Sequence, residues 1–339
     1  MPRNFVRLAA LIGVVAIAAC SNAGAPLGTP VTGIQGSGEH VIGVGGRLIQ
    51  FGGPAHRSSN RSWISPDAAK KSLLYGSSYD GGFINIYDAK GQNQTPIGQL
   101  TSGLESPEGL FVDKRHRLWV TNTNAFNVVG FKRGATAPFT TLGDPGYYPV
   151  SVAADKNGTV YAANAEGVSG PPGNVTVWSK GSTSPTGTLT YSDFLIVLGV
   201  GVDAKNNVYV SYIPTSGPPS MVMFPAGSQT GTPVSITDAN VGDMIFDSHG
   251  NLIMETLTDT LGIWAPPYTS GPARTMAAFG NEPSLNRREN QVWIAYANYS
   301  QPMLEGYNYK TGTQVDAITK GWTSTAIPIG VALDPRGGM

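Results

Sequence analysis

From about residue 66 onward, apolar residues fall in short runs broken every few positions by Gly, Pro, Asn or Asp. Runs this brief predict strands joined by tight turns, with no room for long helices. The runs also recur. Pro107-Glu-Gly-Leu-Phe-Val-Asp113 precedes Leu118-Trp-Val-Thr-Asn122, and Pro149-Val-Ser-Val-Ala-Ala-Asp155 precedes Val160-Tyr-Ala-Ala-Asn164. Leu198-Gly-Val-Gly-Val-Asp203 with Val208-Tyr-Val-Ser-Tyr212, and Met244-Ile-Phe-Asp247 with Leu252-Ile-Met254, repeat the arrangement. The four aspartates stand 42, 48 and 44 residues apart.

Each copy continues with a third run, such as Val128-Val-Gly-Phe131 or Val175-Thr-Val-Trp178, and a weaker fourth, such as Phe139-Thr-Thr-Leu142. Four strands in a repeat of forty to fifty residues is the layout of a propeller blade. A degenerate fifth copy starts at Glu282-Pro-Ser-Leu285 and continues through Gln291-Val-Trp-Ile294. The sixth is divided: Pro328-Ile-Gly-Val-Ala-Leu-Asp334 opens a unit whose continuation stands at Leu73-Leu-Tyr75 and Phe83-Ile-Asn-Ile-Tyr87. The expected fold is therefore an all-β, six-bladed propeller over 66–339, its ring closed between N- and C-terminal strands. A seventh blade would require strands from residues 31 to 66. The hairpin aspartates read as structural, since Asp bonds its own turn backbone. The recurring aromatics Trp119, Tyr161, Tyr209 and Trp293 read as packing between blades.

The N-terminus follows another pattern. Arg3 and Arg7 precede the apolar run Leu8–Ala19, which is too short to span a membrane and ends in Ile17-Ala18-Ala19-Cys20. A charged start, a short apolar core and small residues before a cut site predict a signal peptide over 1–19. The cut site precedes the chain's one cysteine, which reads as a lipobox with lipidation (palmitate and further acyl chains) at Cys20. Residues 20–65, rich in Gly, Ser, Pro and Asn, read as the lipidated cysteine and a flexible tether. His40–Val44 and Arg47–Phe51 could form isolated strands within it. The predicted location is the cell envelope, membrane-anchored through the lipid. In a two-membrane bacterium, Ser21 in place of Asp favours the outer membrane.

Charged residues make up 13% of the chain, with 22 basic against 22 acidic. A neutral, charge-poor surface argues against nucleic acid as a partner.

The P-x-G-V-A-V-D and G-x-L-Y-V patterns resemble the NHL-repeat and gluconolactonase-like six-bladed propellers over roughly residues 66 to 339. That resemblance implies a divalent metal over the central channel, held by Glu, Asn and Asp where the inner strands begin. The corresponding positions here are Glu108, Val150, Leu198, Gly242 and Ile329, with Asp243 as a second ligand candidate if its blade shifts by one. Glu108 and Asp243 alone fall short of the oxygen cage that a hard cation needs. No cofactor is therefore expected, a divalent metal being the alternative.

A second ring, Asn122 with Ser78, Asn164, Tyr212, Thr256 and Tyr296, could edge the same mouth. With Glu108, the residues Asn122, Asn164, Tyr212 and Tyr296 would suit a neutral polar ligand through hydrogen bonds and stacking. The same residue types equally cap strand ends. The four histidines show no metal-ligand spacing, and no nucleophile elbow, phosphate loop or His-Glu-x-x-His motif is present. The expected function is a non-enzymatic binding or scaffold module for an envelope protein or glycan. The alternative is a metal-dependent lactonase-like hydrolase, or a lyase, acting at the channel mouth.

Overall fold

The computed structural model describes residues 31–35, 39–44 and 47–334. The signal segment and Cys20 lie outside the described residues. Six sheets are arranged as a six-bladed propeller. The inner strands of blades 2 to 6 are Pro107–Val112, Tyr147–Ala154, Phe194–Val202, Ile245–Phe246 and Asn281–Leu285. Each is followed by three antiparallel strands running outward to the rim. Blade 1 closes the ring: its inner strand Gly330–Leu333 comes from the C-terminal end and pairs with Leu73–Ser78, matching Gly330 with Ser77 and Leu333 with Leu74. The strands Phe83–Asp88 and Gly98–Leu100 complete that blade, and Trp63–Ile64 adds a fifth, outermost strand. Helical structure among the described residues is confined to two 3₁₀ turns, Pro66–Lys70 and Thr123–Ala125, and no helix there is long and apolar enough to cross a membrane.

The repeat signature has a local cause. Asp113 Oδ1 accepts the N–H groups of Arg115 and Arg117 at 2.8 and 3.0 Å. Asp155, Asp203 and Asp247 close their hairpins in the same way. In blade 6 Asn286 takes this position, accepting from Asn290 and Gln291. The blades adhere through one recurring position on the second strand, aromatic in all but blade 5, where Ile253 stands. Trp119 packs with Val152, Val160 and Trp178 of the next blade, and Trp293 with Leu74 and Tyr87 across the closure. Each such ring, when fully buried, contributes about 1.5–3 kcal/mol.

The N-terminal segment departs from the expected tether. Val31–Gln35, Glu39–Val44 and Arg47–Gly52 form a three-stranded antiparallel meander of their own, and Trp63–Ile64 joins blade 1. Residues 49–64 are thus packed on the propeller. They form no seventh blade, so the ring keeps six. The cause is tertiary: Ile49 and Phe51, 3% and 1% exposed, find an apolar seat on the ring, and that seat is assembled from three blades.

Candidate functional site

The inner strands converge at the end where they begin. There, crowding dictates the glycine of the repeat motif. A Cβ on Gly109 would stand 2.6 Å from the Val150 carbonyl of the next blade. One on Gly330 would stand 2.3 Å from the Glu108 carbonyl and 2.4 Å from Glu282 Oε2. Side-chain hydroxyls bridge the same gap. Ser77 accepts the Gly330 N–H at 2.9 Å and donates to the Glu108 carbonyl at 2.5 Å, linking blade 1 to blade 2.

Glu108 is 2% exposed. The register slips between Pro107 and Leu110, and Oε1 accepts the Gln50 N–H at 3.2 Å while Oε2 accepts the Thr123 hydroxyl at 3.4 Å. A second carboxylate reaches the centre from blade 6. Glu282, at φ +50° and buried, uses Oε2 to accept the N–H groups of Leu110 at 3.1 Å and Val331 at 3.0 Å. One carboxylate oxygen thus ties blade 6 to blades 1 and 2. Charge-assisted bonds of this kind are stronger than neutral ones.

Over these groups lies the strap, residues 47–52. Besides the bond from its N–H to Glu108, Gln50 donates from Nε2 to Asp80 at 3.3 Å. Asn124 holds Gly52 at both ends, accepting from its N–H and donating to its carbonyl, each at 3.1 Å. Tyr79 also donates to the Gly52 carbonyl, at 2.9 Å. Ile49 and Phe51 sink among Val150, Ala165, Ile196, Leu198, Ile213 and Val241. His40 faces Glu166 at 3.2 Å and packs on Phe51, with ring centroids 5.1 Å apart. Burial raises the Asp80 carboxyl above its usual range, against the opposing pull of His56 and the Gln50 hydrogen bond. Burial likewise raises Glu166, opposed by His40. Val150 and Leu198, which stand where the resemblance implies metal ligands, form part of the seat for the strap.

The second ring occupies strand ends, where each member has local partners. Asn122 donates to the Gly103 carbonyl and to Asn127. Asn164, fully buried, donates to Asn174 and Thr176. Tyr212 is 3% exposed and packs edge-on against Phe194, their centroids 4.9 Å apart. Tyr296 accepts from Asn298 at 3.0 Å and meets Phe279. Ser78 caps the N–H of Gly81, and Thr256 those of Thr258 and Thr260. Asp243 is half-buried just after Gly242 in blade 5. The carboxylate set beside the Glu108 strand is that of Glu282.

Sequence reasoning missed Glu282, Asp80 and Gln50. Glu282 had a signal: with Asn286 as the hairpin residue of blade 6, counting back five places gives Asn281, also buried, next to Glu282. Gln50 carried none, because its partner lies 58 residues away.

No family model and no curated protein matches this chain. Among solved structures, a chain from the crystal structure of a nidogen/laminin complex superposes with a TM-score of 0.61. The match covers 78% of this chain and 98% of that one at 12% identity. At that identity the likeness concerns the fold alone: this chain is a six-bladed β-propeller.

Proposed function

We propose that this chain is an exported, lipid-anchored propeller that binds an envelope protein or glycan without catalysing a reaction. The observation that carries the reading is the strap across the channel mouth. A substrate reaching a metal there would meet Gln50 and Phe51, and the nearest carboxylates, Glu108 and Glu282, already accept main-chain N–H groups. A fold solved in a complex with a protein supports a binding role by analogy. The anchor rests on the lipobox ending at Cys20, with the outer membrane as its proposed site.

Two measurements test this. Elemental analysis of the purified chain, with lactonase and esterase assays, is expected to return no stoichiometric divalent ion and no turnover. About one calcium, zinc or manganese per chain with hydrolysis lost in Glu108→Gln would replace this reading with the metal-enzyme one. For the anchor, Cys20→Ser is expected to abolish labelling by radioactive palmitate and to release the protein from the membrane fraction. Persistent labelling would overturn lipidation at that residue.

A further inference from the structure

Two sets of contacts hold the strap, and they differ in what they read. Ring side chains read its main chain. Glu108 accepts the Gln50 N–H at 3.2 Å, Asn124 pairs with both the N–H and the carbonyl of Gly52, and the Tyr79 hydroxyl donates to the same carbonyl. These three residues come from blades 1 and 2, and all are buried. The second set reads side chains. Ile49 and Phe51 stand two residues apart, hence on one face of an extended strand. They fill the seat of Val150, Ala165, Ile196, Leu198, Ile213 and Val241, which blades 3, 4 and 5 supply. Main-chain bonds combined with pockets for alternate side chains is the mode by which extended peptides are recognised.

The strap belongs to no blade. Its strand Arg47–Gly52 pairs with Glu39–Val44 in a sheet separate from the six. Gly52 and Gly53, at φ +75° and +69°, turn the chain out of the seat. It then runs through residues 53–60, exposed apart from the half-buried His56 and Ser58. A segment attached in this local way opens at lower cost than the ring. Opening removes the Gln50 donor from Glu108 and uncovers an apolar patch at the channel mouth, and both favour a replacement of the same chemistry.

Building on the binding-module reading above, we infer that the strap occupies, in cis, the site of a partner protein. The partner's segment is extended and carries an aliphatic residue, a polar residue and an aromatic residue followed by glycine, and its entry displaces the strap. Strap and partner compete for one seat, so the partner's apparent affinity scales with the fraction of chains whose strap is open.

The test uses the full chain, its Phe51→Ala variant and the double variant Ile49→Ala/Phe51→Ala, each titrated with three fluorescent peptides. The first peptide repeats Leu48-Ile-Gln-Phe-Gly52 between serines. The second has Ala for Phe, and the third is N-methylated at Gln so that no N–H faces Glu108. The first is expected to bind the double variant at least about tenfold more tightly than the parent, with Phe51→Ala between them. Each control is expected to bind at least about tenfold more weakly than the first peptide. Saturating the parent with the first peptide should speed tryptic cleavage after Arg47.

Equal affinity of the first peptide and either control would overturn the proposal. So would an absence of binding to a double variant that is cleaved rapidly after Arg47 and keeps its far-UV spectrum. Continued protection of Arg47 in that variant would overturn it too, since Ile49 and Phe51 would then not hold the strap in the seat. If the double variant does not fold, Phe51→Ala carries the same comparisons. A parent that light scattering finds dimeric, and that the first peptide splits into monomers, would give the seat to the strap of a second copy instead of a partner. The binding-module reading survives each of these results, since it falls on stoichiometric metal with turnover.

Discussion

The main-chain N–H of Gln50 donates to the Glu108 carboxylate at 3.2 Å, joining a strand outside the ring to the innermost strand of blade 2. The bond sits in a buried environment beside a second donor, the Thr123 hydroxyl. Replacing Glu108 by Ala removes the acceptor of this strap N–H. The expected loss is about 1–3 kcal/mol, read as a lowered midpoint in denaturant unfolding of the full chain. An unchanged midpoint would show that this bond does not hold the strap.

Phe51 carries the apolar half of the same attachment. It is 1% exposed, against Tyr148 and the cluster around Val150 and Leu198. Phe51→Ala is expected to weaken packing there by about 3–5 kcal/mol. Since the strap is bound locally, it should open before the ring does. Tryptic cleavage after Arg47 is expected to accelerate while the propeller's far-UV spectrum stays the same. Equal cleavage rates in both proteins would argue against a docked strap.

Gly330 is required by proximity, since any side chain there meets the Glu108 carbonyl and the Glu282 carboxylate. Gly330→Ala must push one of them aside in a packed centre. The expected cost reaches or exceeds about 3 kcal/mol, seen as a fall in soluble yield and in unfolding midpoint. Gly134→Ala, where nothing lies within 4 Å of the added methyl, serves as the comparison. It carries the strain of its φ of +75° but no clash.

The ring closure is locked by charge. Asp334 is 1% exposed and receives His116 Nδ1 at 2.7 Å together with Arg133 Nε, both from blade 2. Arg133 also donates to the carbonyls of Ala69 and Lys71, so one guanidinium ties both ends of blade 1 to its neighbour. Asp334→Asn leaves that cation with a neutral partner and is expected to cost about 3–5 kcal/mol. Hydrogen exchange should show the gain in opening concentrated in 73–78 and 330–333. Uniform acceleration around the ring would contradict a local lock.

Asp144 supplies a pH dependence. It is buried and accepts the Thr176 hydroxyl at 2.8 Å. Burial pushes its carboxyl up to about 6, opposed by hydrogen bonds from Thr176 and Asn164. An unfolded aspartate titrates near 3.9, so the folded state binds this proton more tightly. The resulting stabilisation is fully present below about pH 3.9 and is lost as pH rises through 6. Asp144→Asn keeps the proton-bearing form's polarity without the charge. The variant is expected to be more stable than the parent at pH 7.5 by roughly 1–3 kcal/mol, with the advantage shrinking toward pH 4. Equal stability at both pH values would mean that Asp144 is solvated.

What the sequence determined by itself was the blade. A hairpin closed by Asp113, a Trp119 facing the next unit and a glycine at position 109 are all set within one repeat of some forty residues, so periodicity made them legible. The split unit at 73–100 and 330–333 was legible for the same reason, since each half kept its part of the pattern. Tertiary structure alone decided what the centre contains. Glu282 reaches the channel through a blade that had lost its hairpin Asp, and Gln50 meets Glu108 only once three blades have formed a seat for Ile49 and Phe51. A strand without a periodic partner has no local sign of where it will dock. Its place is set by the apolar surface that ring closure assembles, and that surface exists only in the folded chain.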